Sequence, residues 1–371
     1  MNAHYAAVIL AGGLSSRMKQ FKPLLPLGEA TITDHVIATF LSAGVDVFLV
    51  VGYRQDEIRA GIKKRDITIV YNPDYEKGMF SSIQAGIRRL QPIHRGFFIL
   101  PVDIPLVRQS TVKRIMDTGA ERPDNVIYPI FAGRRGHPPL IPSGLIPDIL
   151  EWQKNSNLKA VLKSQEKLAR EVQVADSHIL FDIDNPEDYH RLLERFQRYE
   201  VPTDEECDEI LNTICKVAPD RIRHCFKVAE VAAAISRALN TSGVKVDTEV
   251  VRMAGKLHDI AKGQKKHDIA GGNILRELGF GKAGDIVAVH TDLAGANTRL
   301  PIEAKIVYLA DKLVEGESLV SIEERYHSSR QRFGVTPEIE AAISERLRVA
   351  LRVKQDFNEL LGYPLEKVIS G

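Results

Sequence analysis

The apolar and polar positions of the chain follow two different rhythms, and the rhythm changes near residue 190. In the first part, short apolar runs rich in Val, Ile and Phe predict buried strands at Ala6–Leu10, Val47–Gly52, Ile67–Tyr71, Phe97–Pro101 and Val126–Pro129. The amphipathic stretches between them predict helices at Asp34–Ala43, Gln55–Lys63, Ser81–Leu90 and Ser110–Thr118. This alternation predicts an α/β fold, with a mostly parallel sheet covered by helices on both faces and a ligand site beyond the carboxyl ends of the strands.

The second part of the chain has hardly any strand pattern. Residues 191–200 are typical of a charged helix, and Val201–Asp204 is a break in which Thr203 or Asp204 caps the next helix. The long amphipathic segments that follow predict an all-α domain. We therefore expect two domains, one over residues 1–195 and the other over residues 205–371.

The amino-acid composition indicates which binding partners and which cellular compartment to expect. Lys and Arg total 50 and Asp and Glu total 49, so no overall field favours nucleic acid or an anionic membrane, and a phosphate site must be built locally. The three cysteines form no CxxC pair, which favours a reducing compartment. The first apolar run ends in glycines and predicts a strand rather than a signal peptide, and no apolar stretch approaches a membrane span. We expect a cytoplasmic protein.

A glycine-rich loop follows the first predicted strand. Gly12 and Gly13 allow the backbone to pass close to a phosphate chain and to offer its N–H groups. Phosphate-binding side chains follow the glycines: the hydroxyls of Ser15 and Ser16, the guanidinium of Arg17 and the ammonium of Lys22. A pair of glycines alone would suit an ordinary strand-turn-helix connection, but the basic residues after them favour phosphate binding.

The loop resembles the signature of the MobA-like NTP transferases, and within them the molybdenum cofactor cytidylyltransferases. That signature, L-A-[AG]-G-x-S-x-R-M-G-x-x-K, matches Leu10 to Lys22, except that Lys19 replaces a glycine. The resemblance implies that the nucleotide is bound by Leu10, Ala11, Gly12, Gly13, Ser15 and Lys22. The lysine at position 19 adds a charge near the phosphates or faces solvent.

Four more strings resemble family segments in the family's order: Asn72-Pro73 with Gly78–Ile83, Pro101–Pro105, Gly136–Leu140 and Asp182–Tyr189. Each string alone is a weak signal. Asp103 by itself would also cap a turn before Pro105, and Asn185 with Asp188 would form a helix cap. The ordered set is specific, and it covers nearly all of the first half of the chain.

The resemblance assigns roles to these residues. It implies that Asn72, Gly78 and Ser82 contact the nucleotide, that Asp103 binds Mg²⁺ with Asp184 or Asp182 as a second carboxylate, and that Lys22 and Arg17 stabilise the triphosphate. Attack on the α-phosphorus brings two anions together and releases pyrophosphate, so Mg²⁺, a lysine and backbone dipoles suffice without a covalent protein nucleophile.

The implied acceptor is the terminal phosphate of molybdopterin, and the implied protein partners are molybdoenzymes or their maturation chaperones. His137 is an acceptor-side candidate, although a histidine packed before two prolines is an equal explanation. The sequence gives conflicting indications of which nucleotide base the site binds. Gly12 is typical of the guanylyl branch, whereas the rest of the strings resemble the cytidylyl branch and favour CTP. GTP, or another acceptor such as a sugar or alcohol phosphate, remains the alternative.

The second half carries histidines and aspartates in the order H…HD…H…H…D, at His224, His258, Asp259, His267, His290 and Asp311. A lone helical histidine is more often a core or surface residue than a ligand. The adjacent pair His258-Asp259, which the sequence places inside an apolar helix, differs, because neighbouring side chains of a helix meet one ion only when it lies over their shared edge. An unpaired buried carboxylate would otherwise be costly.

This pattern resembles the HD-domain phosphohydrolases. The resemblance implies one metal on His224, His258, Asp259 and Asp311, and a second completed by His267 and His290. The short spacing between Asp259 and His267 departs from the pattern. Imidazole and carboxylate ligands suit Fe, Mn or another divalent metal, and Lys262 would contact a phosphate. A nucleotide-sensing module without turnover is the alternative for this half.

Overall fold

The computed structural model describes residues 4–14, 18, 20–63, 66–152, 157–293, 300–333 and 336–369. Its contacts divide the chain into two compact units, residues 1–199 and 200–371, which are described separately below. Ser15, Ser16, Arg17 and Lys19, which the sequence places in the phosphate loop, lie outside the described residues.

The first unit is built of strands and helices in alternation. Its strands are β1 (His4–Leu10), β2 (Pro26–Leu27), β3 (Ala30–Thr31), β4 (Asp46–Val51), β5 (Thr68–Tyr71), β6 (His94–Pro101), β7 (Val126–Phe131), β8 (Arg134–Arg135), β9 (Leu140–Pro142) and β10 (Ala169–Gln173). Its helices are α1 (Ile32–Ser42), α2 (Gln55–Gly61), α3 (Met79–Ile87), α4 (Gln109–Glu121), α5 (Ile146–Glu151), α6 (Leu158–Ser164) and α7 (Pro186–Gln197).

The main sheet has the strand order β10-β7-β9-β6-β1-β4-β5, with β8 paired to β7. The pairs β1–β4, β1–β6, β4–β5 and β7–β10 are parallel, whereas β9 runs antiparallel between β6 and β7. The fold is therefore the predicted α/β architecture with a mainly parallel sheet. The predicted strands and helices of the first 130 residues all occur, with ends that differ by a few residues.

The β8–β10 region was absent from the sequence-based prediction. β9 holds only three residues between prolines, and the edge strand β10 is mostly polar and partly exposed, so neither has the apolar run by which a central strand is recognised.

Both faces of the sheet are buried, which explains the continuous apolar runs. Along β1, alternate side chains enter opposite cores: Tyr5, Ala7 and Ile9 belong to one cluster, and Ala6, Val8 and Leu10 to the other. Helices α1 and α4 contribute to the first cluster, and α3, α5 and α6 to the second. A strand covered on both faces needs apolar side chains at every position.

Backbone hydrogen bonds tie together the loops at the carboxyl ends of the central strands. The Ala11 N–H donates to the Val50 carbonyl at 2.9 Å, the Asn72 N–H to the Val51 carbonyl at 2.9 Å, and the Val102 N–H to the Leu10 carbonyl at 3.2 Å. The loops after β1, β5 and β6 are therefore fixed side by side at one edge of the sheet, where ligands of such sheets bind.

The second unit is helical. Its elements are α8 (Asp204–Glu209), continued by a π-helical turn at Ile210–Ile214, then α9 (Pro219–Thr241), α10 (Thr248–Leu257), α11 (His267–Glu277), α12 (Gly281–Val287), α13 (Ile302–Lys312), the strands β11 (Val314–Glu315) and β12 (Ser318–Leu319), α14 (Ile322–Phe333), α15 (Pro337–Leu361) and α16 (Glu366–Ile369). Thr203 caps α8, and its side chain and that of Glu206 form a reciprocal capping box. Among the described residues, no helix is both long and apolar enough to span a membrane.

Helices α9 and α10 pack with their backbones unusually close. A Cβ on Gly255 would lie 2.8 Å from the Cα of Ala229, closer than real carbon atoms approach. The absence of a side chain at Gly255 therefore lets α10 approach α9, and this contact lies one turn before His258 on α10 and about one turn after His224 on α9.

Candidate functional sites

The loop after β1 packs its first glycine against β4 and exposes its second. A Cβ on Gly12 would lie 3.1 Å from the Gly52 nitrogen, whereas one on Gly13 would meet no atom within 4 Å. Gly12 thus serves a close backbone approach, and Gly13 leaves open space at the surface of the loop.

A cavity of about 350 Å³ lies beside this loop, and we refer to it as the smaller cavity. Its lining includes most of the residues that the sequence motifs indicate for nucleotide binding: Leu10, Gly12, Gly13, Lys22, Gly78, Ser82 and Asp103. Tyr75, Glu76 and Met79 also line it, and the sequence analysis had assigned no role to them, although Met79 belongs to the string Gly78–Ile83. They lie between Asn72-Pro73 and Ser81, so the spacing of that string was the available signal.

Two residues of the predicted nucleotide site do not line the cavity. Ala11 is buried, and its backbone bonds to β4. Asn72 is also buried, and its side-chain amide donates to the hydroxyls of Ser81 at 2.9 Å and Ser82 at 3.0 Å. Asn72 therefore holds the start of α3 in position, and it acts on the cavity through Ser82.

Lys22 lies between two carboxylates at the smaller cavity. Its Nζ is 3.4 Å from Asp184 Oδ1 and 3.9 Å from Asp103 Oδ2. The Ile183 N–H donates to the Asp103 carbonyl at 3.0 Å, which joins the segment before α7 to the end of β6. Two motifs that are 80 residues apart in the sequence thus meet around one ammonium group.

Burial raises the pKa of Asp103, Lys22 lowers it in part, and the nearby Asp182 and Asp184 carboxylates raise it further. Carboxylates gathered in this way repel one another, and a divalent cation relieves the repulsion. Their hard oxygen donors are the ligands that Mg²⁺ prefers, so the residues fit a magnesium site.

The segment before α7 serves both structure and site. Asn185 caps α7, with its side chain accepting from the Asp188 N–H, and Asp188 accepts from the N–H groups of Asp184 and Asn185 at 3.0 and 3.2 Å. The capping explanation of this string holds, and the cap also fixes Asp184 beside Lys22.

A second cavity, of about 950 Å³, adjoins the first, and we refer to it as the larger cavity. Met79 and Pro101 line both cavities, so the two meet at the carboxyl end of β6. His137 lines the larger cavity with an exposed side chain, and its backbone N–H donates to the Ile179 carbonyl at 2.9 Å. The histidine before the two prolines is therefore open to this cavity.

In the second unit, the histidines and aspartates of the sequence pattern converge. Asp311 Oδ1 is 3.3 Å from His224 Nε2 and 3.6 Å from His258 Nε2. Asp259 directs Oδ2 toward His258 Nε2 at 3.7 Å. Its other oxygen, Oδ1, is 3.3 Å from His267 Nε2 and 3.5 Å from His290 Nε2. Asp259 therefore lies between two sets of nitrogen ligands, with one oxygen toward each.

The imidazole rings are oriented with one nitrogen toward the cluster. The Nδ1 atoms of His224, His258 and His290 lie 2.9, 2.8 and 2.7 Å from the carbonyls of Gly316, Gly255 and Val287. A carbonyl accepts only, so each Nδ1 carries the proton and each Nε2 presents a lone pair. His258 Nε2 is buried without a hydrogen-bond partner in the part of the chain that the structure describes.

This arrangement is that of a metal site. Two groups of residues each place their donor atoms within 4.8 Å of one another. The first group is His224, His258 and Asp311, and the second is His258, Asp259 and His290. Burial alone would raise the pKa of Asp259, but His258 and hydrogen bonds from His267 and His290 lower it below its ordinary value. The orphaned His258 nitrogen and the mixed imidazole and carboxylate donors fit a divalent transition metal.

The sequence placed His258 and Asp259 inside a helix, and this detail was wrong. α10 ends at Leu257, His258 is its C-cap, and Asp259 lies in the following turn. His224 and Asp311 lie within α9 and α13, His267 is the first residue of α11, and His290 follows α12. Adjacent helical side chains diverge by about 100°, and ending the helix allows both to face one centre.

A cavity of about 470 Å³ opens over this cluster and contains many cationic side chains: Arg221, Lys262, Lys312, Arg325, Arg332 and Arg346. Lys262 Nζ is 3.3 Å from Asp259 Oδ1, and Arg221 Nη1 is 3.0 Å from Asp259 Oδ2. Tyr326 also lines this cavity, and its buried hydroxyl has no hydrogen-bond partner among the described residues. The cavity is suited to an anionic ligand next to the cluster.

Comparison with known families agrees with both sites. The MobA-like NTP transferase domain matches residues 7–170, and the HD domain matches residues 221–315. Both matched segments contain the candidate site residues of their unit, apart from Asp184, which follows the first segment.

Individual relatives match the first unit. The molybdenum cofactor cytidylyltransferase of Escherichia coli (strain K12) is 32% identical over 190 residues, which are 51% of this chain and 95% of that protein. The nicotine blue oxidoreductase of Paenarthrobacter nicotinovorans is 27% identical over 196 residues, 50% of this chain and 95% of that protein. A solved structure, the Mycobacterium tuberculosis rv0371c homolog from mycobacterium sp. strain JC1, is 25% identical, covers 53% of this chain and 99% of that one, and has a TM-score of 0.49.

Proposed function

Because the chain belongs to the MobA-like NTP transferase family and carries an HD domain after it, we propose that its first unit transfers CMP from CTP to the terminal phosphate of molybdopterin. The observation that carries this proposal is the position of Lys22 between Asp103 and Asp184, where the smaller cavity meets the larger. One cavity then holds the nucleotide and the other the acceptor.

The proposed reaction exchanges one P–O bond for another. An oxygen of the acceptor phosphate attacks the α-phosphorus of CTP, the bond from the α-phosphorus to the α–β bridging oxygen breaks, and pyrophosphate leaves with the electron pair. Lys22 balances the charge that develops on the pyrophosphate, and the Gly12–Gly13 loop approaches the phosphates closely. Holding both substrates in adjacent cavities supplies the orientation that the step needs.

Asp103 and Asp184 are the proposed ligands of Mg²⁺, with Asp182 close to them. When bound, Mg²⁺ neutralises phosphate charge at the reacting centre. Lys22 contacts both carboxylates, so its charge offsets their mutual repulsion before the nucleotide arrives. Arg17 and Ser15, outside the described residues, remain proposed phosphate contacts.

CTP and molybdopterin are proposed on the strength of the cytidylyltransferase relative, of which this chain spans 95% of the length. The test is pyrophosphate release by the purified protein with Mg²⁺ and molybdenum-loaded molybdopterin, comparing CTP, GTP, ATP and UTP. Glucose 1-phosphate and phosphocholine replace molybdopterin in parallel reactions. We expect release with CTP and molybdopterin alone. Release with GTP would overturn the choice of base, and release only with another acceptor would overturn molybdopterin.

For the second unit we propose a metal-dependent phosphohydrolase with two metals. His224, His258, Asp259 and Asp311 would hold one ion, and His267 and His290 would complete the second through Asp259 Oδ1. Bound Fe or Mn would supply an activated water. Lys262 and the cavity arginines would hold the phosphate of the substrate. Metal analysis of the purified protein, and phosphate release from p-nitrophenyl phosphate and from nucleotides, test this proposal.

A further inference from the structure

The larger cavity of the first unit combines an apolar wall with a cationic rim. The apolar wall comes from α3, β6 and α6, and includes Phe80, Ile83, Ile99 and Leu162, all nearly buried. Such a wall offers no hydrogen-bond partners, and a ligand that covers it gains by removing apolar surface from water.

The cationic rim comes mainly from α6. Lys159 and Lys163 lie four residues apart on this helix, so they share one face, and both are exposed and line the larger cavity. Within the ranges that the structure describes, neither lysine forms an ion pair. Two ammonium groups at one cavity, without carboxylate partners, indicate an anionic ligand.

Arg135 and Tyr128 also line this cavity. The Arg135 guanidinium donates to Glu166 Oε1 and to Glu171 Oε1, each at 2.7 Å, and lies 4.6 Å over the Tyr128 ring. Among the described residues, Glu166 of this lining pairs with Arg135 and with neither lysine, and Arg135 also pairs with Glu171, which does not line the cavity. The positive charge of Lys159 and Lys163 is therefore left for the ligand.

The lysines belong to the acceptor side of the site. The described residues that line the smaller cavity include none from α6, whereas Met79 and Pro101 line both cavities. A phosphate at the junction near Pro101 would be within the reach of Asp103 and Lys22, with the rest of the molecule extending toward α6. A change at Lys159 or Lys163 is thus expected to affect the acceptor and not the NTP.

We propose that the larger cavity selects an acceptor whose phosphate is joined to a large, flat ring system, and that Lys159 and Lys163 hold the anionic groups of this acceptor. The inference rests on the proposed function and deepens it. Polar side chains such as Asn157 and Glu166 also line the cavity, but Phe80, Ile83, Ile99 and Leu162 supply no partner for a hydroxyl group, so a sugar placed against this wall would leave hydroxyl groups unpaired. Against this wall a fused ring system buries its flat faces, and the Tyr128 ring adds an aromatic surface.

The test compares the double variant Lys159→Gln/Lys163→Gln with the wild type and with Lys167→Gln. Lys167 is an exposed lysine of the following 3₁₀ turn that does not line the cavity, so its variant controls for the charge change. Pyrophosphate release gives the KM values. We expect the double variant to raise the KM for molybdopterin about tenfold, a typical loss for two charge-assisted contacts, with the KM for CTP within twofold of the wild type. An unchanged KM for molybdopterin, or an equal rise for CTP, overturns the inference.

A binding measurement separates this inference from the proposed function. If the wild type releases no pyrophosphate with molybdopterin, the proposed acceptor fails, and titration calorimetry with riboflavin 5′-phosphate and glucose 1-phosphate still tests the cavity. We expect the wild type to bind riboflavin 5′-phosphate, a fused-ring phosphate monoester, more tightly than glucose 1-phosphate. We also expect the double variant to bind riboflavin 5′-phosphate about tenfold more weakly than the wild type does. Equal or tighter binding of glucose 1-phosphate, or no effect of the double variant, overturns the inference and leaves the transferase assignment in place.

Discussion

The two candidate sites of this chain are built in opposite ways. The transferase site lies on loops at the ends of β1, β5 and β6, and its charged residues Lys22, Asp103 and Asp184 keep part of their side chains in solvent. The HD site lies among helix ends, and His258 and Asp259 are almost fully buried. The first site requires its substrates to complete it, whereas the second has a ligand set already oriented by backbone carbonyls.

The difference follows from what each site must bind. A nucleotide and a second phosphorylated substrate need two cavities and room to enter, so their site is made by loops at the edge of a sheet. A metal needs donors held in a fixed geometry, and burial together with the Nδ1 hydrogen bonds of His224, His258 and His290 supplies it. The comparison therefore predicts that the two sites fail independently.

The largest effect is expected from Asp103→Asn. The amide cannot supply the negative charge that a cation needs, so nucleotidyl transfer should fall by about 10³-fold, while the metal content of the second unit stays that of the wild type. Steady-state pyrophosphate release and elemental analysis measure the two quantities. The exposed Asp124→Asn serves as the control. A variant that keeps more than a tenth of wild-type transfer would contradict the role of Asp103.

The reciprocal variant is Asp259→Asn. Asp259 lies between both sets of histidines, so its loss should weaken metal binding by more than the ~10–100-fold that removal of a supporting residue costs. Pyrophosphate release should be unchanged. Metal content after dialysis against a weak chelator is compared with that of His327→Ala, an exposed histidine of the same unit. Full metal content in Asp259→Asn would remove the HD assignment, and a loss of transfer would show that the sites depend on each other.

A smaller effect, on stability, is expected from Gly255→Ala. This variant tests whether the HD site depends on the close packing of α9 and α10. The added methyl group would lie 2.8 Å from the Ala229 Cα, so α10 must move or strain, at a cost of about 1–3 kcal/mol. Thermal unfolding of the metal-free protein should shift by ~2–4 °C per kcal/mol. Gly144→Ala, where the new carbon meets no atom within 4 Å, should be neutral. Equal melting temperatures for both variants would contradict the close packing of α9 and α10.

The smallest effect concerns the ion pairs of Asp204 with Arg252 and Lys256. The hydrogen bond from Arg252, followed by contacts with Lys256, lowers the pKa of Asp204 to about 2. Because the folded pKa is lowered, the stabilisation is present above about pH 4 and is lost as the pH falls toward 2. Since Asp204 is half-exposed, we expect Asp204→Asn to cost less than about 1 kcal/mol.

The measurement for Asp204 is the urea midpoint of wild type and Asp204→Asn at a series of pH values. The two curves should differ at pH 6 and converge as the pH falls below 3, with metal content unaffected. A difference that grows toward low pH would contradict the sign of the shift.

Sequence alone was sufficient for the parts of the molecule that repeat a pattern. Continuous apolar runs identified β1, β4 and β6 because both faces of the sheet are buried, and the ordered motifs indicated Asp103 and the histidines and aspartates that the structure brings together. What it could not provide was proximity between distant segments. The contact of Lys22 with both Asp103 and Asp184 depends on the bond from Ile183 to the end of β6, which no local pattern encodes.

The other features that the sequence did not predict have the same physical origin. The larger cavity is formed by α3, β6, β7 and α6 together, so Lys159 and Lys163 were only two surface lysines in the sequence. The apolar stretch through His258 predicted a continuing helix, because burial of Ile260 and Ala261 maintains the apolar pattern beyond the point where α10 ends. Tertiary contacts decide such points, and periodicity does not.

The most direct test of the account follows the two ends of the triphosphate in one reaction. CTP labelled with ³²P at either the α- or the γ-phosphate is incubated with the protein, Mg²⁺ and molybdenum-loaded molybdopterin, and the products are separated by chromatography. We predict that the α-label moves to the molybdopterin product and the γ-label to pyrophosphate in equal amounts. Release of the γ-label as orthophosphate, or an α-label that never joins the acceptor, would contradict nucleotidyl transfer by the first unit.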